Sequence, residues 1–196
     1  MNLPNKLTTS RIALTMVFLV AVFIEFPGNR TLALILFVVA SITDWLDGAI
    51  ARRRKLITNF GILMDPLADK ILTCSAFIAF VGQGYVAAWM VVVVVARELT
   101  ITGLRLLAAS KNVVLAAERY GKHKTISQMV TVSVILVKVS YPDWGSVAQA
   151  IFGFQIGGQS WLHHVAFLSL WLTVALTFIS GCLYLWRNRQ LYLNDM

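Results

Sequence analysis

Long apolar stretches constrain the fold of this chain more than any other feature. The sequence is 58% apolar and only 13% charged, and its mean hydropathy is +0.74. Soluble domains carry about 25% charged residues, and a helix needs about 20 apolar residues to cross a bilayer. We therefore predict an all-α integral membrane protein in which residues 1–196 form one domain, with six transmembrane helices at about residues 7–26, 31–53, 62–82, 85–108, 122–140 and 161–186.

The positive charges indicate how these helices are oriented. The chain has 17 Lys and Arg residues and a net charge of +8. All of the helix-end cations except Arg30 and Lys138 fall on one side, which the positive-inside rule assigns to the cytosol. Both termini are then cytosolic, and residues 2–6 form a short interfacial segment. Because the charge follows topology, we do not expect nucleic acid as a partner. Residues 142–159 form an outer loop with a short interfacial helix.

Four aspartates interrupt the apolar pattern where the second predicted helix ends and the third begins. Asp44 and Asp47 are three residues apart, and Asp65 and Asp69 are four apart, so each pair shares one face of its helix. The short linker between the helices can bring the two faces together as an antiparallel pair. Carboxylates near a bilayer are costly, and such residues are functional candidates.

The chemistry of these carboxylates favours metal binding. Carboxylates that converge without matching cations must take up protons or bind metal ions. Oxygen-only ligands favour Mg²⁺, Mn²⁺ or Ca²⁺ over zinc, and two such ions about 4 Å apart can clamp a diphosphate. Gly48 and Ala51 leave room for a nucleotide, and Arg52 can reach a phosphate. Alternatively, the aspartates are helix-end charges paired with residues 52–55, which explains one aspartate better than four.

The complete pattern resembles the signature of the CDP-alcohol phosphotransferase family. The resemblance implies six transmembrane helices, a cytosolic site with two Mg²⁺ or Mn²⁺ ions, and usually a homodimer. It also implies that a hydroxyl attacks the β-phosphorus of a CDP-linked substrate and releases CMP. All eight specified positions match: Asp44-x2-Asp47-Gly48-x2-Ala51-Arg52-x8-Gly61-x3-Asp65-x3-Asp69.

The resemblance also implies a role for each matching position. Asp69, the last aspartate of the motif, would be a metal ligand and the general base for the acceptor hydroxyl. The other metal ligands would be Asp44, Asp47 and Asp65. The positions bordering CDP-diacylglycerol would be Gly48, Ala51, Arg52 and Gly61.

Further segments are similar to those of bacterial phosphatidylglycerophosphate synthases within this family. They imply that the phosphatidyl group passes from CDP-diacylglycerol to glycerol 3-phosphate, in the lipids of a bacterial cytoplasmic membrane. The matching segments are residues 2–11, 64–70, 96–98, 103–105 and 121–125.

A phosphorylated acceptor requires a second anion site, for which the sequence offers cations. Arg97 and Arg105 lie on the fourth helix, about 80° apart around its axis, and Lys124 lies near the start of the fifth. Converging cations would hold the acceptor phosphate and orient its hydroxyl. Positive-inside anchoring is the competing explanation, and it is weakest for Arg97, which lies deeper in an apolar run. Glu98 is expected to pair with Lys70 or Arg105.

Other functions are compatible with part of this pattern. Within the family, the acceptor could instead be phosphatidylglycerol (a cardiolipin synthase), serine or inositol phosphate. An aspartate-rich prenyltransferase would separate its acidic motifs far more than Asp47 and Asp65 are separated here. A divalent-cation transporter would place acidic groups near the membrane midplane and often has an inverted repeat, whereas these acids cluster at one face and the sequence has no evident repeat.

Overall fold

A computed structural model describes residues 3–54, 59–111, 113 and 119–193, with side chains for residues 10–43, 70–111, 113 and 123–192. The six predicted helices correspond to α1–α5 and α7, and their ends differ from the prediction by at most four residues. The helices of the described chain are α1 (Leu3–Phe23), α2 (Asn29–Arg54), α3 (Asn59–Gly82), α4 (Ala88–Ser110), α5 (Arg119–Ser140), α6 (Ser146–Phe152), α7 (Trp161–Arg187) and α8 (Arg189–Leu193).

The long helices pack as a closed ring. α1 lies against α2 and α3, α2 against α5, α5 against α7, α7 against α4, and α4 against α3. α3 also contacts α5 across the ring. Each helix therefore has at least two neighbours, and residues distant in sequence meet in the interior.

The ring has two distinct ends. Arg30, near the start of α2, donates a hydrogen bond to the carbonyl of Val139 at the end of α5. Gln83, just after α3, donates one to the carbonyl of Val22 near the end of α1. We call this the outer end. The basic end is the other one, where α1, α3 and α5 begin and α2, α4 and α7 finish.

Buried aromatic and small residues fill the interior where α1, α2 and α3 meet. The rings of Phe18 and Phe37 lie 6.0 Å apart, and those of Phe77 and Phe80 lie 6.5 Å apart. Alanines between them let the helix backbones approach closely, as small residues do in membrane bundles. The buried alanines are Ala21, Ala33, Ala40, Ala76 and Ala79.

The outward faces of the helices are apolar as well. Leu168 is 65% exposed, Val92 64% and Leu99 68%. Such exposure of large apolar side chains is unfavourable in water but suits contact with lipid. Within the described residues, two segments are both long and apolar enough to cross a membrane, His123–Trp144 and Trp161–Arg187. Shorter apolar helical segments are Ser10–Phe23, Asn29–Thr43 and Lys70–Gly82.

The outer end contains more structure than the predicted loop. The short helix expected there is α6, preceded by a 3₁₀ turn at Tyr141–Trp144. A two-stranded antiparallel hairpin follows, in which β1 (Gln155–Ile156) pairs with β2 (Gln159–Ser160). Gly157 and Gly158 connect the strands with φ values of 61° and 84°, the left-handed conformation that a two-residue hairpin turn requires.

Candidate functional site

The aspartate motif lies on the two helices that the sequence predicted for it. Asp44 and Asp47 are within α2, and Asp65 and Asp69 are within α3, so each pair shares a helical face. The side chains of the motif lie outside the described residues, and the roles assigned to Gly48, Ala51, Arg52, Gly61 and the aspartates stay predictions. In the part of the chain whose side chains are described, no group of three His, Cys, Asp or Glu residues could hold a metal ion.

A buried charged cluster begins immediately after the motif. Glu98 of α4 is 4% exposed, and its Oε1 accepts a hydrogen bond from the Nζ of Lys124 on α5, which is itself 3% exposed. The same oxygen lies 3.5 Å from a terminal guanidinium nitrogen of Arg97. Its other oxygen lies 3.5 Å from the Nζ of Lys70 on α3. We call Lys70, Arg97, Glu98 and Lys124 the Glu98 cluster; it joins three helices.

Lys70 connects this cluster to the aspartate motif. It directly follows Asp69 on α3. Its ammonium group bonds to the hydroxyl of Thr102 and lies 3.5 Å from the main-chain carbonyl of Glu98. Thr102 in turn donates to that carbonyl, at 2.8 Å. The residue that follows the motif thus contacts Glu98, the carboxylate that Arg97 and Lys124 also contact.

Burial of these charges is unfavourable on its own. Moving an ion from water into a protein interior costs roughly several kcal/mol, even after the protein relaxes around it. The attraction within an ion pair offsets that cost only when the geometry of the pair is very good. Replacement of such a pair by apolar residues is often neutral or stabilising. The Glu98 cluster is therefore poorly explained as a stabilising device, and ionisable groups inside a membrane-type bundle mark functional sites.

Arg97 is held from its other side by α7. A methyl group on Gly181 would lie 2.9 Å from the Cγ of Arg97, closer than real carbon atoms approach without displacement. The absence of a side chain at Gly181 therefore allows α4 to bring Arg97 against α7. No sequence pattern indicated this role for Gly181.

Arg105 occupies a separate position on α4. Its Nε donates to the hydroxyl of Tyr184 at 3.3 Å, and its guanidinium carbon lies 5.7 Å from the centre of the Tyr184 ring. Eight residues of helix separate Arg105 from Arg97, a rise of about 12 Å. Of the three predicted acceptor-phosphate residues, the structure therefore joins Arg97 and Lys124 through Glu98. Arg105 of α4 instead contacts Tyr184 of α7, nearer the basic end.

The polar interior continues between α5 and α7. The Thr131 hydroxyl lies 2.9 Å from the Thr173 hydroxyl and donates to the carbonyl of Ser169. Because the two helices are antiparallel, Gln128 of α5 then faces the level of Thr177 on α7, one turn nearer the Glu98 cluster. The Gln128 Nε2 and Thr177 Oγ1 atoms are buried and have no hydrogen-bond partner among the described residues.

A cavity of about 490 Å³ lies at the outer end. Its polar lining includes the exposed residues Glu25, Arg30, Gln83 and Asp143. It lies between the first two helices and the ends of α3 and α5, at the opposite end of the bundle from the aspartate motif. We do not assign the reaction to it.

Part of this site could be predicted from the sequence. The expected pairing of Glu98 with Lys70 is confirmed at 3.5 Å, whereas the contact partner of Arg105 is Tyr184. The central position of Glu98 was missed, although it is the one acidic residue in the sequence of α4. A single acid within an apolar helix is a recognisable signal. Tyr184 and Gly181 had no such signal.

Comparisons with known proteins identify the family of this chain. A family model described as CDP-alcohol phosphatidyltransferase matches residues 1–179. The chain belongs to this family of transferases. Its apolar helices and the involvement of the family in lipid synthesis together indicate a membrane protein.

Three curated relatives are similar over 69% to 95% of this chain, and each is described as a CDP-diacylglycerol–glycerol-3-phosphate 3-phosphatidyltransferase. The Bacillus subtilis protein is 38% identical, with 95% of both chains covered. The Rickettsia bellii protein is 35% identical, with 93% of both covered. The Pectobacterium atrosepticum protein is 36% identical over 69% of this chain and 76% of its own length.

Proposed function

We propose that this protein transfers the phosphatidyl group of CDP-diacylglycerol to glycerol 3-phosphate, forming phosphatidylglycerol phosphate and CMP. The observation that carries the proposal is that Lys70, which follows the aspartate motif, contacts Glu98, the same carboxylate that the partly buried Arg97 and the buried Lys124 contact. Donor diphosphate and acceptor phosphate then have adjacent sites. The curated relatives named for this reaction support the same assignment.

The reaction is an in-line displacement at phosphorus. The acceptor hydroxyl oxygen forms a bond to the β-phosphorus of the donor, and the bond from that phosphorus to the bridging oxygen breaks. CMP leaves with the bridging oxygen, and the hydroxyl proton passes to Asp69, the proposed general base. Arg97, Arg105 and Lys124 hold the acceptor phosphate, which limits the hydroxyl to orientations suitable for attack.

The donor set of the motif fits a hard divalent cation. It consists of carboxylate oxygens alone, at helical spacings that put each pair on one face of α2 or α3. Asp44, Asp47, Asp65 and Asp69 would hold two Mg²⁺ or Mn²⁺ ions, which would offset the negative charge of the diphosphate. Gly48, Ala51, Arg52 and Gly61 would border the cytidine diphosphate.

The proposed setting is a bacterial cytoplasmic membrane. α1–α5 and α7 cross it six times, with both termini and the reaction at the cytosolic face, which we assign to the basic end. Support comes from the apolar outward faces of these helices and from the concentration of cations at the basic end. The family resemblance favours a homodimer.

The direct test is CMP release by purified protein. We would supply CDP-diacylglycerol, Mg²⁺ or Mn²⁺, and in turn glycerol 3-phosphate, phosphatidylglycerol, serine and inositol phosphate. Release with glycerol 3-phosphate that stops on chelation is the expected result. Release with a different acceptor would keep the family and overturn the acceptor assignment. No release with any acceptor would overturn the transferase proposal.

A further inference from the structure

We infer that Glu98 is a positioning residue for the acceptor phosphate: it holds Lys124 and Arg97 in place before glycerol 3-phosphate binds. The inference rests on the proposed function. Its basis is that both oxygens of one buried carboxylate are used, one by Lys124 and Arg97 and the other by Lys70. These cations come from three helices, and Glu98 is the described acid that they share.

Glu98 is unsuited to touch the acceptor phosphate itself. The carboxylate is negative, as is a phosphate monoester, and like charges in contact repel strongly at low dielectric. Glu98 is also 4% exposed and covered by the cations around it. It therefore acts on the acceptor through Lys124 and Arg97.

Positioning matters most for Lys124. A lysine carries about 2 kcal/mol of rotamer entropy on a flexible four-carbon stem, and ordering it during binding would weaken affinity. In the structure Glu98 has already ordered it. Without the negative charge of Glu98, the ammonium of Lys124 and the guanidinium of Arg97 would repel each other and move apart.

The test compares Glu98→Gln with Glu98→Asp in the purified full-length protein. Glutamine keeps the shape of the side chain and removes its charge, whereas aspartate keeps the charge and shortens the reach. For Glu98→Gln we expect the KM for glycerol 3-phosphate to rise about tenfold, with the KM for CDP-diacylglycerol within about twofold of wild type. Glu98→Asp should raise the acceptor KM by a smaller factor, about threefold to fivefold.

A purely structural role would give a different pattern. Partial unfolding lowers the concentration of active enzyme, and therefore apparent kcat, without changing either KM. An acceptor KM within about twofold of wild type in folded Glu98→Gln would overturn the inference, as would equal changes in both KM values. If Glu98→Gln does not fold, Glu98→Asp decides by the same criterion.

Two controls separate this inference from the proposed function. Glu25→Gln makes the same chemical change at an exposed residue of the outer end, and it should leave both KM values unchanged. Wild-type protein that released no CMP with any acceptor would overturn the proposed function and the role of Glu98 with it. CMP release together with an unchanged acceptor KM in Glu98→Gln would overturn only the role of Glu98.

Discussion

Charged side chains are exposed at the outer end of this helical ring and buried towards its basic end. At the outer end, Glu25, Arg30 and Asp143 are exposed and line an open cavity. In the interior, between the middle of the bundle and the basic end, Glu98 and Lys124 are almost completely buried and bonded to each other. Exposed charges keep their hydration and cost little, whereas buried ones lose it.

This difference indicates where the fold contains charged groups whose burial is unfavourable. Aromatic residues dominate the outer end, where Phe152 packs against Tyr141, Trp144 and Trp161. Such packing stabilises the fold and requires no charged group. The basic end combines the buried Lys124 with the aspartate motif, and the phosphate binding proposed there would explain why charged groups are buried. Matched substitutions at the two ends test this contrast.

The largest difference is expected between two aspartates. Asp69→Asn removes the proposed general base, and such groups contribute about 10²–10⁴-fold to rate, so CMP release should fall by that factor or more. Folding and much of the binding of CDP-diacylglycerol should persist. Asp143→Asn, at the outer end, should retain wild-type turnover. CMP release rates and donor binding are the measurements, and near-normal turnover of Asp69→Asn would rule out the assigned base.

A second contrast uses two arginines. Arg105→Ala removes a proposed phosphate contact from the basic end and should raise the KM for glycerol 3-phosphate about tenfold, with a much smaller effect on the KM for CDP-diacylglycerol. Arg30→Ala removes the same group from the outer end and should change neither constant. Steady-state kinetics with each substrate varied would decide. Unchanged acceptor kinetics in Arg105→Ala would remove Arg105 from the acceptor site.

A third contrast uses glycines within helices. In Gly181→Ala the new methyl would meet Arg97 at 2.9 Å, whereas in Gly82→Ala it would meet Phe23 at an ordinary 3.5 Å. Gly181→Ala should lower the free energy of unfolding by about 1 kcal/mol through overpacking and raise the acceptor KM severalfold by displacing Arg97. Gly82→Ala should do neither. Thermal unfolding in detergent together with kinetics provides the readout, and wild-type behaviour of both variants would show that Arg97 has room to move.

The smallest effect is expected in the middle of the bundle. Thr131→Val removes the hydrogen bonds to Ser169 and Thr173, and interhelical bonds of this kind in membranes contribute about 0.6 kcal/mol. Because two bonds are lost, the free energy of unfolding should fall by about 1 kcal/mol, with both KM values unchanged. A selective change in the acceptor KM would extend the functional site beyond the basic end. Reversible unfolding in detergent measures the first quantity.

Much of the architecture could be predicted because it depends on local patterns. Apolar stretches located the long helices within four residues, since a membrane-length helix needs little beyond continuous apolar sequence. The i, i+3 and i, i+4 spacings put each aspartate pair on one helical face for the same reason. The hairpin at Gln155–Ser160 was not predicted, because its strands have only two residues each.

By itself, the sequence determined the helical class, the aspartate motif and the end of the bundle at which cations gather. The tertiary structure alone decided that Lys124 bonds to Glu98, that Arg105 lies on Tyr184, and that Gly181 admits Arg97. These contacts join residues 26, 79 and 84 positions apart. They depend on which helices become neighbours in the ring, and helices with apolar faces all round do not encode that order in their periodicity.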